Sequence, residues 1–156
     1  MYNTSLRIVN DTAEAEDVMQ EAFLDAFRRI GSYSGEGSFG SWLKRIVVNR
    51  SLDQLRKKRE MIAIDELKGD LPEEVSVVTE EDIQFQVEEV RRAIAMLPED
   101  FRVIISLVLF EGYDHDEVSR MLNISNQLSR TRYSRARQKL LAILKEKNIV
   151  KAFSIN

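Results

Sequence analysis

Apolar residues recur at three- and four-residue steps along most of this chain, and nowhere do they alternate at two. In residues 12–30 the stripe is Ala15, Val18, Met19, Ala22, Phe23, Ala26, Phe27 and Ile30. That period belongs to an amphipathic helix and not to a half-buried strand. Asp11 or Thr12 can cap its start, Glu14 and Glu16 suit the positive end of the helix dipole, and Gly31 is expected to stop it. A glycine- and serine-rich loop, 32–38, follows with a single aromatic, Tyr33. Residues 39–59 read as a second helix, with Phe39, Trp42, Leu43, Ile46, Val47, Leu52 and Leu55 on its apolar side. Four further helices are expected over 83–97, 98–112, 114–122 and 126–147, the second opened by Pro98 and ended by Gly112. In the last of them Leu128, Tyr133, Ala136 and Leu140 are expected to point inward. The expected fold class is therefore all-α. Two small helical domains, 1–60 and 83–150, are joined by a flexible acidic linker, 61–82.

The composition removes several kinds of chemistry. There is no cysteine, so disulfides, thiol catalysis and thiolate metal sites are excluded. The one histidine, His115, cannot hold a histidine-based metal site alone. No catalytic residue, metal or cofactor is expected, nor any small-molecule substrate. No apolar run is long enough to insert in a membrane, and the first ten residues lack the layout of a signal peptide. A cytoplasmic location is expected.

The net charge of −3 is unpromising for nucleic acid, but it hides a strong segregation. Residues 1–59 carry 10 basic and 8 acidic groups, a net of +2. Residues 60–90 carry 1 basic and 11 acidic, a net of −10. Residues 91–156 carry 12 basic and 7 acidic, a net of +5. Two basic segments thus flank an acidic middle.

Three constellations stand out. Residues 114–147 give a short helix, a tight turn at Asn123-Ile124-Ser125 and a longer basic helix, which is the layout of a helix-turn-helix. Ser125, Asn126, Gln127 and Ser129 offer short polar groups for base edges, and Arg130, Arg132 and Arg135 offer charge for phosphates. A plain helical hairpin with a solvated basic face is the alternative. The second constellation is 44–59, with seven basic residues against one acid, Asp53. Lys44, Arg45, Arg50, Arg56 and Lys57 suit a phosphate backbone. Tyr33 could stack an unpaired base, and Asn49 could hydrogen-bond a base or a neighbouring carbonyl. Trp42 reads as core. The third is Asp17, Gln20, Glu21 and Asp25 on the first long helix, a solvated or protein-binding face and not a catalytic carboxylate pair.

These segments resemble the extracytoplasmic-function sigma factors of bacterial RNA polymerase. Ala15-Glu16-Asp17-Val18-Met19-Gln20-Glu21-Ala22-Phe23 is similar to that family's Ala-Glu-Asp-x-x-Gln-Glu-x-Phe helix. Residues 39–49, Phe-Gly-Ser-Trp-Leu-Lys-Arg-Ile-Val-Val-Asn, resemble its Phe-x-x-Trp-Leu-x-Arg-Ile-x-x-Asn, and Asp53 and Arg56 continue the pattern. Leu97-Pro98 with Arg102 resembles the entry to its second domain, and 111–113 and 135–140 fit as well. The resemblance implies that Asp17, Gln20 and Glu21 dock on core RNA polymerase. It implies that Tyr33 and Asn49 recognise an opened minus-ten element, with Arg45, Arg50, Arg56 and Lys57 on phosphates. The helix-turn-helix would read the minus-thirty-five element. Promoter DNA, core polymerase and an anti-sigma factor are the implied partners.

Two departures are visible. Family members usually have about one further helix before the segment where this chain begins, and Met1–Val9 resembles the tail of that helix, so the first domain is expected to be N-terminally short. The recognition helix has Gln-Leu-Ser-Arg-Thr-Arg at 127–132, where the family often has Gly-Thr-Val-Lys-Ser-Arg. Two other readings stay open. One is a sigma-like decoy that binds an anti-sigma factor without initiating transcription. The other is an ordinary helix-turn-helix repressor, which leaves 39–59 unused.

Overall fold

The structure is a computed structural model that describes residues 1–64 and 82–146. The chain divides into two compact units, Met1–Leu67 and Lys68–Asn156. Among the described residues there are seven α-helices and no strand. The segment read as a linker lies almost wholly outside the described residues, as does Lys147.

In the first unit α1 (Tyr2–Val9), α2 (Thr12–Arg29) and α3 (Phe39–Ile64) pack against one another. Asn10 closes α1 in the left-handed region, its N–H bonding Leu6 O at 2.8 Å. Asp11 then opens α2, accepting the Glu14 N–H at 2.9 Å. One residue thus ends a helix and the next starts another, which fixes the turn between them. Small side chains let the helices approach. Ala22 and Ala26 of α2 pack on Ile46 and Val47 of α3, with Met19, Trp42 and Leu43 around them. Ser5 of α1 and Ser51 of α3 are both fully buried with their hydroxyls 3.1 Å apart, and Ser51 Oγ also reaches Val47 O at 2.8 Å.

Helix α2 departs from its sequence reading in three ways. Its inward stripe is Ala15, Val18, Ala22 and Ala26, continued by Asp25, which is only 6% exposed. Phe23, Phe27 and Ile30 lie outside it, and Phe27 is 72% exposed. Their positions turn away from the alanine row, and α3 covers only the alanine side. Gly31 does not end the helix in a left-handed conformation, because among the described glycines only Gly35, Gly37 and Gly112 have positive φ. The helix instead tightens into a 3-10 turn, Ile30–Ser32, with Ser32 Oγ donating to Arg29 O at 2.6 Å. Helix α3 runs to Ile64, beyond the expected end at Arg59.

The second unit contains α4 (Asp82–Ala95), α5 (Glu99–Ile105), α6 (His115–Leu122) and α7 (Asn126–Glu146). Pro98 caps α5, its carbonyl accepting from Phe101 and Arg102. Arg102 is buried; burial lowers its pKa and nearby Glu99 opposes that shift. The arginine of the Leu-Pro-x-x-x-Arg resemblance is therefore an interior residue. After Ile105 the backbone widens into a π turn, Ser106–Phe110, where Glu111 N bonds Ser106 O at 3.0 Å. Gly112, at φ 75, releases the chain toward α6. Asp114 opens α6 with a reciprocal capping box to Glu117. Asn123 ends it in the left-handed region, and Ser125 starts α7 by accepting the Leu128 N–H at 3.0 Å. Three residues thus join α6 to α7, and each end of the turn has a cap.

Gly112 is one of three described positions, with Gly35 and Gly37, where a positive φ calls for a glycine. No atom lies within 4 Å of a Cβ built there, so the whole penalty of a side chain is conformational. Gly112→Ala should lower the unfolding free energy by about 1 kcal/mol. Urea unfolding followed by circular dichroism measures it, and an unchanged midpoint would show that the turn relaxes.

Candidate nucleic-acid interface

On α3, Trp42, Arg45, Asn49 and Arg56 fall at i, i+3, i+7 and i+14 and so share one face. Asn49 and Arg56 are exposed, and Arg45 is half-buried. Arg56 Nη1 is also held by Asp53 Oδ1 at 2.9 Å, an exposed i, i+3 pair that contributes little to stability. Lys57 lies beside this row and is exposed. Lys44 is half-buried and lies well round the helix from Asn49, toward the side that α3 packs.

The loop before α3 is organised. Gly35 and Gly37 both take positive φ, which brings Gly37 O to 2.8 Å from the Tyr33 hydroxyl that donates to it. The Tyr33 ring then meets Phe39 edge-on at 5.6 Å and Trp42 at 5.6 Å, while Phe39 and Trp42 are 5.4 Å apart. Trp42 has its inner edge on the α2–α3 core, as its spacing suggested, and its outer edge in this aromatic group. Seven residues separate Trp42 from Asn49, about 10 Å along the helix. A half-exposed aromatic group thus leads directly into an exposed amide and a basic row. Phe39 was read from the sequence as core only, yet it is part of the outer group.

Arg50 is not in that row. Its guanidinium turns to α2 and pairs with the buried Asp25 through Nε and Nη2, while Nη1 lies 3.8 Å from Glu21. Arg28 approaches the other Asp25 oxygen at 4.0 Å. Burying a carboxylate without a partner costs several kcal/mol, so the half-buried Arg50 is committed to Asp25. The expectation that it serves phosphates is displaced by this ion pair. Asp25, expected on the solvated face with Asp17, Gln20 and Glu21, is instead buried three residues after Ala22 on the inward stripe, and that placement was the available signal.

Asp17, Gln20 and Glu21 are exposed on α2. With Leu24 they fall at i, i+3, i+4 and i+7, so an exposed leucine sits among the three polar groups. Glu21 is the one that also reaches Arg50.

In the second unit α6 and α7 pack through Val118, Met121 and Ala136. The inward row of α7 is Ser129, Ala136, Leu140, Ile143 and Leu144. Ser129 departs from its expected place at the DNA surface: it is fully buried, with Oγ 2.8 Å from His115 Nδ1. Leu128 departs in the opposite sense, 42% exposed where an inward side chain was expected. Ser125 is used as the helix cap. Asn126 donates to Asp116 at 2.5 Å and accepts from Arg130 Nε at 2.7 Å, which ties the start of α7 to α6. Gln127, Thr131 and Arg135 are exposed, and Arg132 is half-buried. The His115 ring also meets Tyr133 at 5.6 Å, and Arg137 stands over the Tyr133 ring at 5.8 Å. His115 is thus a bridge between the two helices. Among the described residues no group of acids and histidine is arranged to hold a metal ion.

Comparison with known proteins places both units. Residues 1–61 match Sigma-70 region 2, and residues 87–140 match Sigma-70, region 4. The RNA polymerase sigma-H factor of Pseudomonas aeruginosa is 30% identical over 146 residues, covering 85% of this chain and 74% of that protein. The ECF RNA polymerase sigma factor SigM of Mycobacterium tuberculosis is 33% identical over 140 residues, covering 88% and 68%. SigW of Bacillus subtilis is 29% identical over 161 residues, covering 94% and 83%. Among solved structures, the sigma factor RpoE of Bartonella quintana, crystallised with the anti-sigma factor NepR, is similar with a TM-score of 0.65 at 21% identity, covering 92% of this chain and 89% of that one. That last likeness is one of fold. With two sigma regions in order and relatives aligned along most of both chains, this chain belongs to the extracytoplasmic-function family of RNA polymerase sigma factors.

Proposed function

We propose that the chain binds core RNA polymerase and directs promoter recognition and transcription initiation. The observation that carries this reading is the outward row of α3, where Trp42, Arg45, Asn49 and Arg56 continue an aromatic group built on Tyr33. Aromatic rings beside a basic groove suit unpaired bases, and an exposed amide suits a base edge. On this reading Tyr33 and Asn49 meet an opened minus-ten strand, and Arg45, Arg56 and Lys57 follow its backbone. The helix-turn-helix reads the minus-thirty-five element, with Gln127 at base edges and Arg130, Arg132 and Arg135 toward phosphates. Asp17, Gln20 and Glu21, around Leu24, form the face for core polymerase.

Opening a duplex in this way uses binding energy alone, so no catalytic role is assigned to the chain. The polymerase supplies the chemistry. No helix among the described residues is long and apolar enough to cross a membrane, and the site of action is the cytoplasm, where polymerase and promoter meet. An anti-sigma factor is the expected regulator. A decoy has no use for the exposed Asn49 and its basic neighbours, and a repressor has no use for the first unit.

Run-off transcription tests the reading, with core polymerase and fragmented genomic DNA and with the transcript 5′ ends mapped. Discrete starts that share two upstream motifs are expected. No starts above core polymerase alone would overturn it. Asn49→Ala should reduce initiation from duplex promoters about tenfold, equivalent to one lost hydrogen bond. It should have a smaller effect on templates already unpaired over the minus-ten element. Lys57→Ala should lower the slope of log affinity against log salt by about one, whereas Arg50→Met combined with Asp25→Asn, which leaves no unpaired buried charge, should leave the slope unchanged because the Arg50 charge is spent on Asp25. Equal slope changes for the two would place Arg50 on DNA.

A further inference from the structure

The start of α7 offers DNA fewer side chains than its composition suggests. Ser125 caps its own helix, Asn126 bridges Asp116 and Arg130, and Ser129 is buried against His115. Gln127, Leu128 and Thr131 point outward, and among the described residues none of them has a side-chain hydrogen bond. Isolated exposed leucines are ordinary on protein surfaces. This one stands in the first turn of a recognition helix, the turn that faces base edges in a helix-turn-helix. It shares a flank of α7 with Arg132 and Arg135, at i+4 and i+7, so charge complementary to a phosphate backbone runs along the same side.

A leucine in that position cannot hydrogen-bond a base edge. The apolar group that a major groove presents at its base edges is the C5-methyl of thymine. Cytosine presents an amino donor instead, which Leu128 would leave unpaired. We propose that Leu128 is a specificity-determining residue that packs against the thymine C5-methyl of one base pair in the upstream promoter element. This rests on the reading of the second unit as the reader of that element. The same rotation of α7 that buries Ser129 turns Leu128 outward, so the His115–Ser129 contact sets the position of the reading residue.

The test removes the methyl group alone. Holoenzyme containing the full chain is titrated against duplexes that carry the upstream element mapped by run-off transcription, with each thymine replaced in turn by deoxyuridine. At one position the loss should be about fourfold, the worth of one buried methyl group. Leu128→Ala should show a similar loss on the unmodified duplex and no further loss at that position, while the other thymines behave as before. Leu128→Met should retain the sensitivity. Matched thermal unfolding of the variants excludes a folding defect, which an exposed position is not expected to cause. The inference is overturned if wild type is indifferent to every replacement, if Leu128→Ala remains sensitive, or if the element contains no thymine. In those cases sequence-dependent binding still stands and so does the promoter reading. Loss of all sequence dependence would remove both.

Discussion

The first unit depends on the ion pair between Asp25 and Arg50. Asp25 sits on the inward stripe of α2, where a carboxylate without a partner would carry an uncompensated desolvation cost. Arg50 meets that need from α3, so the rotation of α3 about its own axis is not free. With Arg50 turned inward, the row of Trp42, Arg45, Asn49 and Arg56 is turned outward as a consequence. On the other helix the same constraint leaves Asp17, Gln20 and Glu21 on the exposed side. Glu21 lies near both, 3.8 Å from Arg50, so the face assigned to polymerase and the helix assigned to DNA share one guanidinium.

The second unit fixes its helices through side-chain hydrogen bonds. The His115–Ser129 contact and the Asp116–Asn126–Arg130 chain fix how α7 lies on α6. Each bond removes a polar side chain from the set available to DNA and orients those that remain. Ser129 is fully buried, so its contact with His115 is the costly one to break and the one that most specifies a single arrangement. The functional surface of each unit is thus determined as much by the polar groups turned inside as by those left outside.

The helices were legible because their apolar period and their caps agree: Asp11 opens α2 and Asp114 opens α6, each at the start of a periodic stripe. The positions of Tyr33 and Asn49 near one aromatic and basic surface were legible from loop composition and helical spacing. What the sequence did not disclose was which polar residues are consumed internally. Arg50, Asn126 and Ser129 look available in a linear reading, because their partners Asp25, Asp116 and His115 lie on other helices, and Ser125 is consumed by capping its own helix. Phe23 and Phe27 look like core for a related reason. A broad apolar stripe does not say how much of itself a neighbouring helix will cover.

The central claim, that Arg50 serves Asp25 and through it the geometry of the whole first unit, is tested most directly by a double-mutant cycle. Asp25→Asn, Arg50→Met and the double variant are compared with the parent by urea unfolding at low and high salt. The pair is buried on one side, with Arg50 still 29% exposed, so a coupling of about 2 kcal/mol that survives high salt is predicted, below the 3–5 kcal/mol of a fully buried pair. A coupling near zero, or one abolished by salt, would mean that the two charges are only neighbours and that Arg50 is available to DNA.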